Sequence, residues 1–539
     1  MLCLLAVSLA AVLPYLSTLH GYYLADDFGL VQLFHDKPTL HFATLFTRSW
    51  TENIWGFTLD ELRPFPALSY QIAASWGAES PVANHVINLI VHLLCSVLVF
   101  GTARCLAERS LAASTFAGLL FAIMPVHVEP VSWITGRADS FMGLFYVASL
   151  FCYGIWRLRA IRTLYLASVC FFFVALFSKQ HAVTLPVMLI FYDIFVARRG
   201  LRFTAKQIRP YIPFLALTLI YLGMRFVLFQ SALREDQVTT ELPFRFLQTQ
   251  ALYAKLMLIG EGAIRLSASL LLQLATWVGL GLMLVFLACA LGSTHRSLSG
   301  GRGGTLSLVL YYGVTWWVVS TGPLVVAGYE SQRLLYTAAV GFVITLSFGF
   351  DHLWSRTTAF AGAAAVLGAT TLSVAMLVRL HPAVAAWNRS AAMSERMKVD
   401  MEAQTLAAPP GALLLVGAKD HRMDSRHFTW EWAWAFPFVI KPPFTGEDIS
   451  TRATIVSRRS TYYYGARWFV DAQRALRAWS STREDAPIIA IWWDGAVGSL
   501  MRRTDAHDLE LRKQVQQLQA AETEQEMEAA LASIFVNIP

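Results

Sequence analysis

Residues 84–103 read NHVINLIVHLLCSVLVFGTA, without one Asp, Glu, Lys or Arg. At a 1.5 Å rise per residue, a helix of this length is about 30 Å long, the thickness of a bilayer's hydrocarbon core. Lipid offers the backbone no partners, so a run this apolar must bond its own amides, and a helix does so. Working outward, comparable runs lie at 1–20, 111–126, 140–157, 162–178, 181–197, 210–229, 267–292, 305–327, 334–350 and 358–380. The sequence therefore predicts a polytopic α-helical membrane protein of about eleven helices. Residues 247–266 are apolar too, but Lys255, Glu261 and Arg265 interrupt them. That pattern suits an interfacial or re-entrant helix.

Composition agrees and excludes an ordinary soluble domain. Of 539 residues, 56% are hydrophobic and 15% charged, with a mean hydropathy of +0.49, where soluble domains carry about a quarter charged residues. The net charge of +7 sits in short loops rather than in a basic stripe with aromatics, so it is a topology signal and nothing recommends nucleic acid. The six cysteines lie in or beside apolar runs and read as small buried hydrophobes, without disulfide or metal-knuckle spacing. Residues 1–20 have no basic leader and no small-residue cleavage site, so they read as a retained first span.

Arg104 and Arg109, then Arg157, Arg159 and Arg162, then Arg198, Arg199, Arg202, Lys206 and Arg209, then His295, Arg296 and Arg302, occupy four loops. Counting spans puts all four on one side, which the positive-inside rule makes cytoplasmic. The amino terminus is then cytoplasmic. The loop 21–83, the turns near 136–139, 178–180 and 328–333, and the tail face the other side. Residues 1–380 are expected to form the membrane domain. Residues 381–539 read as a small α/β domain, with buried strands at 411–417 and 487–493, helical spacing through 468–479 and a last helix over about 505–535.

The unusual polar residues gather on the non-cytoplasmic rim. Asp26 and Asp27 follow the first span, and Arg63 lies later in that loop. His127, Glu129, Arg137 and Asp139 flank the next outer turn, Lys179 the one after, and Glu330 and Arg333 the last. A charge in a membrane helix costs about 2.5–3.5 kcal/mol. A carboxylate pair facing fixed cations is a base beside an anion cradle, and Arg and Lys suit phosphate. His85 and His92, seven apart on one apolar helix, read as core histidines.

The segment PVHVEPVSWITGRAD, residues 125–139, resembles the hallmark of the transmembrane and tetratricopeptide-repeat O-mannosyltransferases and their bacterial relatives. Supporting matches are Asp26-Asp27, Arg63-Pro64, residues 84–92, Ser178-Lys179-Gln180 with Tyr192-Asp193, and Arg333-Leu334-Leu335-Tyr336. The resemblance runs from about residue 20 to 345. It implies a GT-C fold and a sugar donor carried on polyprenyl phosphate. It also implies Asp26 and Asp27 as the catalytic pair, and Arg137, Lys179 and Arg333 as contacts for the donor phosphate. Three features depart from the family: Gln180 stands where Glu is usual, Glu330 lies three residues before Arg333 rather than beside it, and the tetratricopeptide array is absent.

The expected reaction is an inverting displacement. A carboxylate, favoured as Asp26, accepts the proton of an acceptor hydroxyl on a protein, lipid or glycan as that oxygen attacks the anomeric carbon. Membrane lipid and the donor are the expected partners, in a bacterial inner membrane. No cofactor is required; a divalent metal at Asp26 and Asp27 is an alternative, because hard cations favour carboxylate oxygen. A transporter or flippase for a lipid-linked glycan is the rival. It is less favoured because transporters place ionisable groups near the midplane on broken helices.

Overall fold

A computed structural model describes residues 1–36, 42–52, 54, 59–76, 80–197, 204–230, 242–260, 269–299, 304–326, 331–355, 359–418, 438–457, 461–482, 486–494, 499–505 and 509–536. Each of the eleven expected span ranges contains helix. Among the described residues eight helices are long and apolar enough to cross a membrane, and a ninth span follows if Leu111–Ile123 and Pro125–Ser132, bent by 47°, count together. The helices Arg162–Leu176 and Gln180–Phe195 are shorter. The molecule is a multi-pass helical membrane protein.

Aromatic and small residues knit the bundle. Gly349 lets the helix Gln332–Trp354 approach the helix Leu270–Ser299 closely, since a Cβ there would lie 2.0 Å from the carbonyl oxygen of Phe286. Close backbone approach at small residues is how helices associate where water offers no driving force. The interrupted segment forms the helix Leu242–Leu258, while residues 261–266 of that prediction lie outside the described residues. Its C-terminal end is capped by Arg379, whose Nη1 and Nη2 donate to the carbonyls of Leu258 (3.1 Å) and Ile259 (2.5 Å).

The loop after the first span contains helices α1 (Asp26–Asp36) and α2 (Pro64–Ser75). Helix α3 (Arg137–Arg159) carries Arg137 at its start and Arg157 and Arg159 in its last turn. The long helix α4 (Ala359–Ala407) continues through the expected boundary at 381. The polar composition that begins there marks departure from the apolar stretch, not the end of the helix.

Beyond α4 lies a four-stranded sheet of order β2-β1-β3-β4, with β1 Leu413–Ala418, β2 Thr454–Ser457, β3 Ile488–Asp494 and β4 Ser499–Thr504. β1 is parallel to β2 and β3, and β4 is antiparallel to β3. Alternation along the strands divides its faces. Leu413, Leu415, Ile488 and Ala490 pack with Leu476, Trp479, Leu511 and Phe535. Leu414, Val416, Ile489 and Ile491 share a core with Phe28, Phe34 and Trp50 of the first loop. The sheet thus sits over the same end of the bundle as Asp26.

Candidate active site

Two adjacent aspartates open α1, but their surroundings differ. Ala25 adopts φ 47, the left-handed conformation that a side chain disfavours. It swings the chain so that Asp27 turns inward. Asp27 is 1% exposed. Its Oδ2 accepts the Leu24 amide (2.9 Å), and its Oδ1 accepts the Thr135 amide (2.9 Å) and hydroxyl (2.6 Å). The Thr135 hydroxyl lies 3.0 Å from that of Tyr70. Asp27 therefore ties the first loop to the turn before α3. Burial still pushes its carboxyl up to about 7, against the hydrogen bonds from Thr135 and Leu24.

Asp26 is half-buried and makes no hydrogen bond or ion pair with the described residues. Burial pushes its carboxyl up to about 6; Arg333 and Arg63 pull down and Glu61 pushes up. This is a carboxylate with open lone pairs, held just below neutrality.

Arg333 and Arg63 act on it, Lys179 lies in the field of those two, and each of the three cations has its own acid. Lys179 Nζ lies 2.5 Å from Asp139. Arg333 Nη1 lies 2.9 Å from Glu129, its Nε lies 3.6 Å from Asp139, and Ser331 donates to Glu129 at 2.8 Å. Arg63 Nη2 lies 2.7 Å from Glu61, which also accepts the Trp50 indole N–H at 2.8 Å. Arg63 Nε is buried without a partner. Burial lowers the Lys179 ammonium to about 8; Asp139 opposes this, while Arg63 and Arg333 add to it. That mutual repulsion means the three cations share one field. Net charge among Arg63, Lys179, Arg333, Glu61, Glu129, Asp139 and Asp26 is −1 with all ionised, and protonation of Asp26 makes it zero.

Other expected residues fall elsewhere. Arg137 is wholly buried and its donors are committed: Nε to the Ile134 carbonyl (3.1 Å), Nη1 to Ser69 (2.9 Å), Nη2 to the Asn84 carbonyl (3.1 Å) and side chain (2.8 Å). It stacks 4.3 Å over the Tyr70 ring. A donor-phosphate contact does not fit this placement; Arg137 braces the loops around Asp27. His127 is buried in the bundle, its Nδ1 2.8 Å from the Phe121 carbonyl, beside Tyr336 and His92, so it is not part of the cation cluster. Glu330 lies outside the described residues.

Glu61, Trp50 and Thr135 belong to this arrangement and were not singled out in the sequence. Thr135 stands inside the 125–139 segment and Glu61 two residues before Arg63, so proximity to those motifs was the available signal. For a metal, no group of three His, Cys, Asp or Glu converges among the described residues, and both Asp27 oxygens already accept hydrogen bonds.

Deeper in the bundle, an apolar cavity of about 340 Å³ opens between Ala254, Met257, Leu287, Val314, Trp317 and Phe342. Phe342 lies on the same helix as Arg333, nine residues further along.

No family model matches the chain. A Protein O-mannosyl-transferase tmtc2 of Xenopus laevis is 31% identical over 209 residues, 36% of this chain and 24% of that protein. Protein O-mannosyl-transferase TMTC3 of Homo sapiens is 25% identical over 199 residues, 34% and 20%. Protein O-mannosyl-transferase Tmtc2 of Drosophila melanogaster is 32% identical over 167 residues, 30% and 16%. The matches thus span a quarter or less of those relatives. Among solved structures, ArnT from Cupriavidus metallidurans bound to undecaprenyl phosphate superposes with a TM-score of 0.52 at 12% identity, over 94% of this chain and 98% of that one. Its apo form gives 0.51 at 13% identity, over 91% and 93%. The chain has the GT-C fold of ArnT and resembles the O-mannosyl-transferases in part of its sequence.

Proposed function

We propose that this protein is an inverting glycosyltransferase that moves a sugar from a polyprenyl-phosphate donor to an acceptor hydroxyl on the non-cytoplasmic side of a bacterial inner membrane. The observation that carries the proposal is Asp26: a carboxylate without hydrogen bond or ion pair among the described residues, in the field of Arg333 and Arg63, with Lys179 in turn in the field of those two. Two likenesses support it. The partial sequence relatives are O-mannosyl-transferases, and the structural neighbour was solved with undecaprenyl phosphate.

In this mechanism Asp26 accepts the proton of the acceptor hydroxyl as that oxygen attacks the anomeric carbon. The bond to the phosphate oxygen breaks, and the developing charge on polyprenyl phosphate is met by the cations. Fixed cations in a partly dehydrated site stabilise such charge without reorganising. A base near pH 6 is ionised at neutral pH yet more basic than an ordinary aspartate, which favours proton abstraction. Asp27 holds the turn. The donor's lipid lies along the apolar cavity. The positive-inside rule supports this side, since Arg104 and Arg109, and Arg157 and Arg159, lie at or just past the opposite ends of helices that begin near the site.

The test is transfer from radiolabelled polyprenyl-phosphate mannose by the purified protein in detergent, with donor binding measured separately. Transfer with inversion, lost in Asp26→Asn while binding persists, is the expected result. A protein that moves labelled lipid across vesicles but never cleaves the sugar–phosphate bond is a transporter, and the proposal fails.

A further inference from the structure

The C-terminal domain packs against the turn that bears Asp26, and its Phe444 makes ring contacts on both sides of that turn. Phe444 is 6% exposed, and its ring lies 4.8 Å from Phe28 and 5.4 Å from Tyr23, both wholly buried. Those two residues bracket Leu24 to Asp27, the stretch that contains left-handed Ala25. Phe444 is itself fixed: its amide donates to the Lys441 carbonyl at 2.9 Å, and the Ile449 amide to the Ile440 carbonyl at 3.2 Å. A second clamp comes from α4, where buried Ser394 donates to the Tyr23 carbonyl at 2.7 Å.

Backbone in a disfavoured conformation persists only where its surroundings over-determine it. Asp27 is held by Thr135, but the Asp26 side chain makes no hydrogen bond or ion pair among the described residues. Its position is set entirely by the turn. We infer that the C-terminal domain is a positioning element for the catalytic turn, and that Phe444 is the positioning residue through which it acts on Asp26. This inference rests on Asp26 being the base. It gives the domain a role that needs no acceptor contact: the sheet anchors a loop whose aromatic tip sets the base, while the membrane bundle grips the donor.

Misplacing a reacting group by about 1 Å costs on the order of 100-fold. Phe444→Ala in the full-length protein should therefore lower single-turnover transfer by about 10- to 100-fold, with donor affinity within about twofold of wild type. Released toward water, Asp26 should titrate nearer the ordinary aspartate value of about 4, so the acid limb of the rate profile should move down from about pH 6. Phe444→Leu, which keeps apolar bulk, should recover most of the rate and the limb. Ser394→Ala should move both in the same direction as Phe444→Ala, by less. If Phe444→Ala does not give monodisperse protein, Phe444→Leu and Ser394→Ala carry the test. Wild-type rate and an unmoved limb in the folded variants overturn the inference. Failure of the wild-type protein to transfer sugar overturns the functional proposal instead, so the two failures are separable.

Discussion

Both ends of the bundle bury ion pairs, and the two ends are put together differently. At the end away from Asp26, Asp193 Oδ2 accepts from Tyr153 (2.8 Å), Tyr211 (2.5 Å) and Arg157. Asp351 in turn accepts the Ser110 amide (3.0 Å) and hydroxyl (2.5 Å), with Arg109 at 3.4 Å. There each of the two acids meets an arginine and accepts from hydroxyls, although Asp193 Oδ1 is buried without a hydrogen-bond partner, and the arrangement staples helix ends. At the other end Arg63, Lys179 and Arg333 are also paired, but one carboxylate is left over and one buried guanidinium nitrogen has no acceptor. Ion pairs are common to both ends. A buried unsatisfied atom is thus present at both ends; what sets the Asp26 end apart is a whole carboxylate without hydrogen bond or ion pair among the described residues, beside a buried guanidinium nitrogen whose unmet bond costs about 1–3 kcal/mol and which a ligand oxygen would satisfy.

The largest effect should come from the leftover acid. Asp26→Asn keeps shape and removes the proton acceptor, so single-turnover transfer should fall by roughly 10²–10⁴-fold with donor affinity nearly unchanged. Asp27→Asn should behave otherwise. Its amide would point a donor at donors from Thr135 or Leu24, so thermal stability should drop as well. If Asp26→Asn transfers at near wild-type rate, the base must be reassigned.

Next is donor grip. Arg333 is the most open of the three cations, its side chain 31% exposed, so its removal perturbs the fold least. Arg333→Ala should weaken donor binding by roughly 10- to 150-fold, the equivalent of about 1.5–3 kcal/mol for a charge-assisted contact, as measured by titration with polyprenyl phosphate. Arg137→Lys, by contrast, should lower stability and leave donor affinity within about threefold. Equal losses of affinity in both variants would return Arg137 to the phosphate site.

A smaller effect tests the electrostatics. Asp26 acts as a base only when deprotonated, so kcat/KM should fall tenfold per pH unit as pH drops below about 6. Glu61 pushes that carboxyl up. Glu61→Gln, which keeps an acceptor for Trp50, should therefore move the limb to lower pH. A limb that stays in place or rises shows that Glu61 does not act on Asp26.

Much of this was legible in the sequence, and the reasons separate cleanly. Spans are written in long apolar runs, and the polar rim in residues too costly to place in lipid without cause. The sequence favours Asp26 as the base but cannot show how differently Asp26 and Asp27 are surrounded, because neighbours of one chemistry diverge here at the left-handed φ of Ala25, which no residue type announces. Arg137 and Arg333 looked alike because their partners lie far off in the chain: Ser69 and Asn84 for one, Glu129 for the other. The expected single helix over 505–535 is two, Leu509–Ala520 and Glu524–Val536. Here a signal existed: Thr523 and Glu526 form a capping box, with Thr523 Oγ1 accepting the Glu526 amide at 3.2 Å and Glu526 accepting the Thr523 amide at 3.3 Å.

The smallest expected change in catalysis is at the stapled end, and it is the one that can break the comparison. Asp351→Asn keeps an oxygen for the Ser110 hydroxyl and removes the charge opposite Arg109. Hydrogen bonds to a charged group are worth about 1.5–3 kcal/mol, so the thermal midpoint in detergent should fall. The Arg109 guanidinium retains its place 3.9 Å over the Phe348 ring, which limits the loss. Because Asp351 lies at the far end of the helix that begins with Gln332, transfer per folded molecule and donor affinity should match wild type within about twofold. A large loss of turnover without loss of folded protein would mean that the two ends are coupled through that helix. Asp351 would then act on the site through Arg333, and closure of its hydrogen bonds would no longer mark it as a staple.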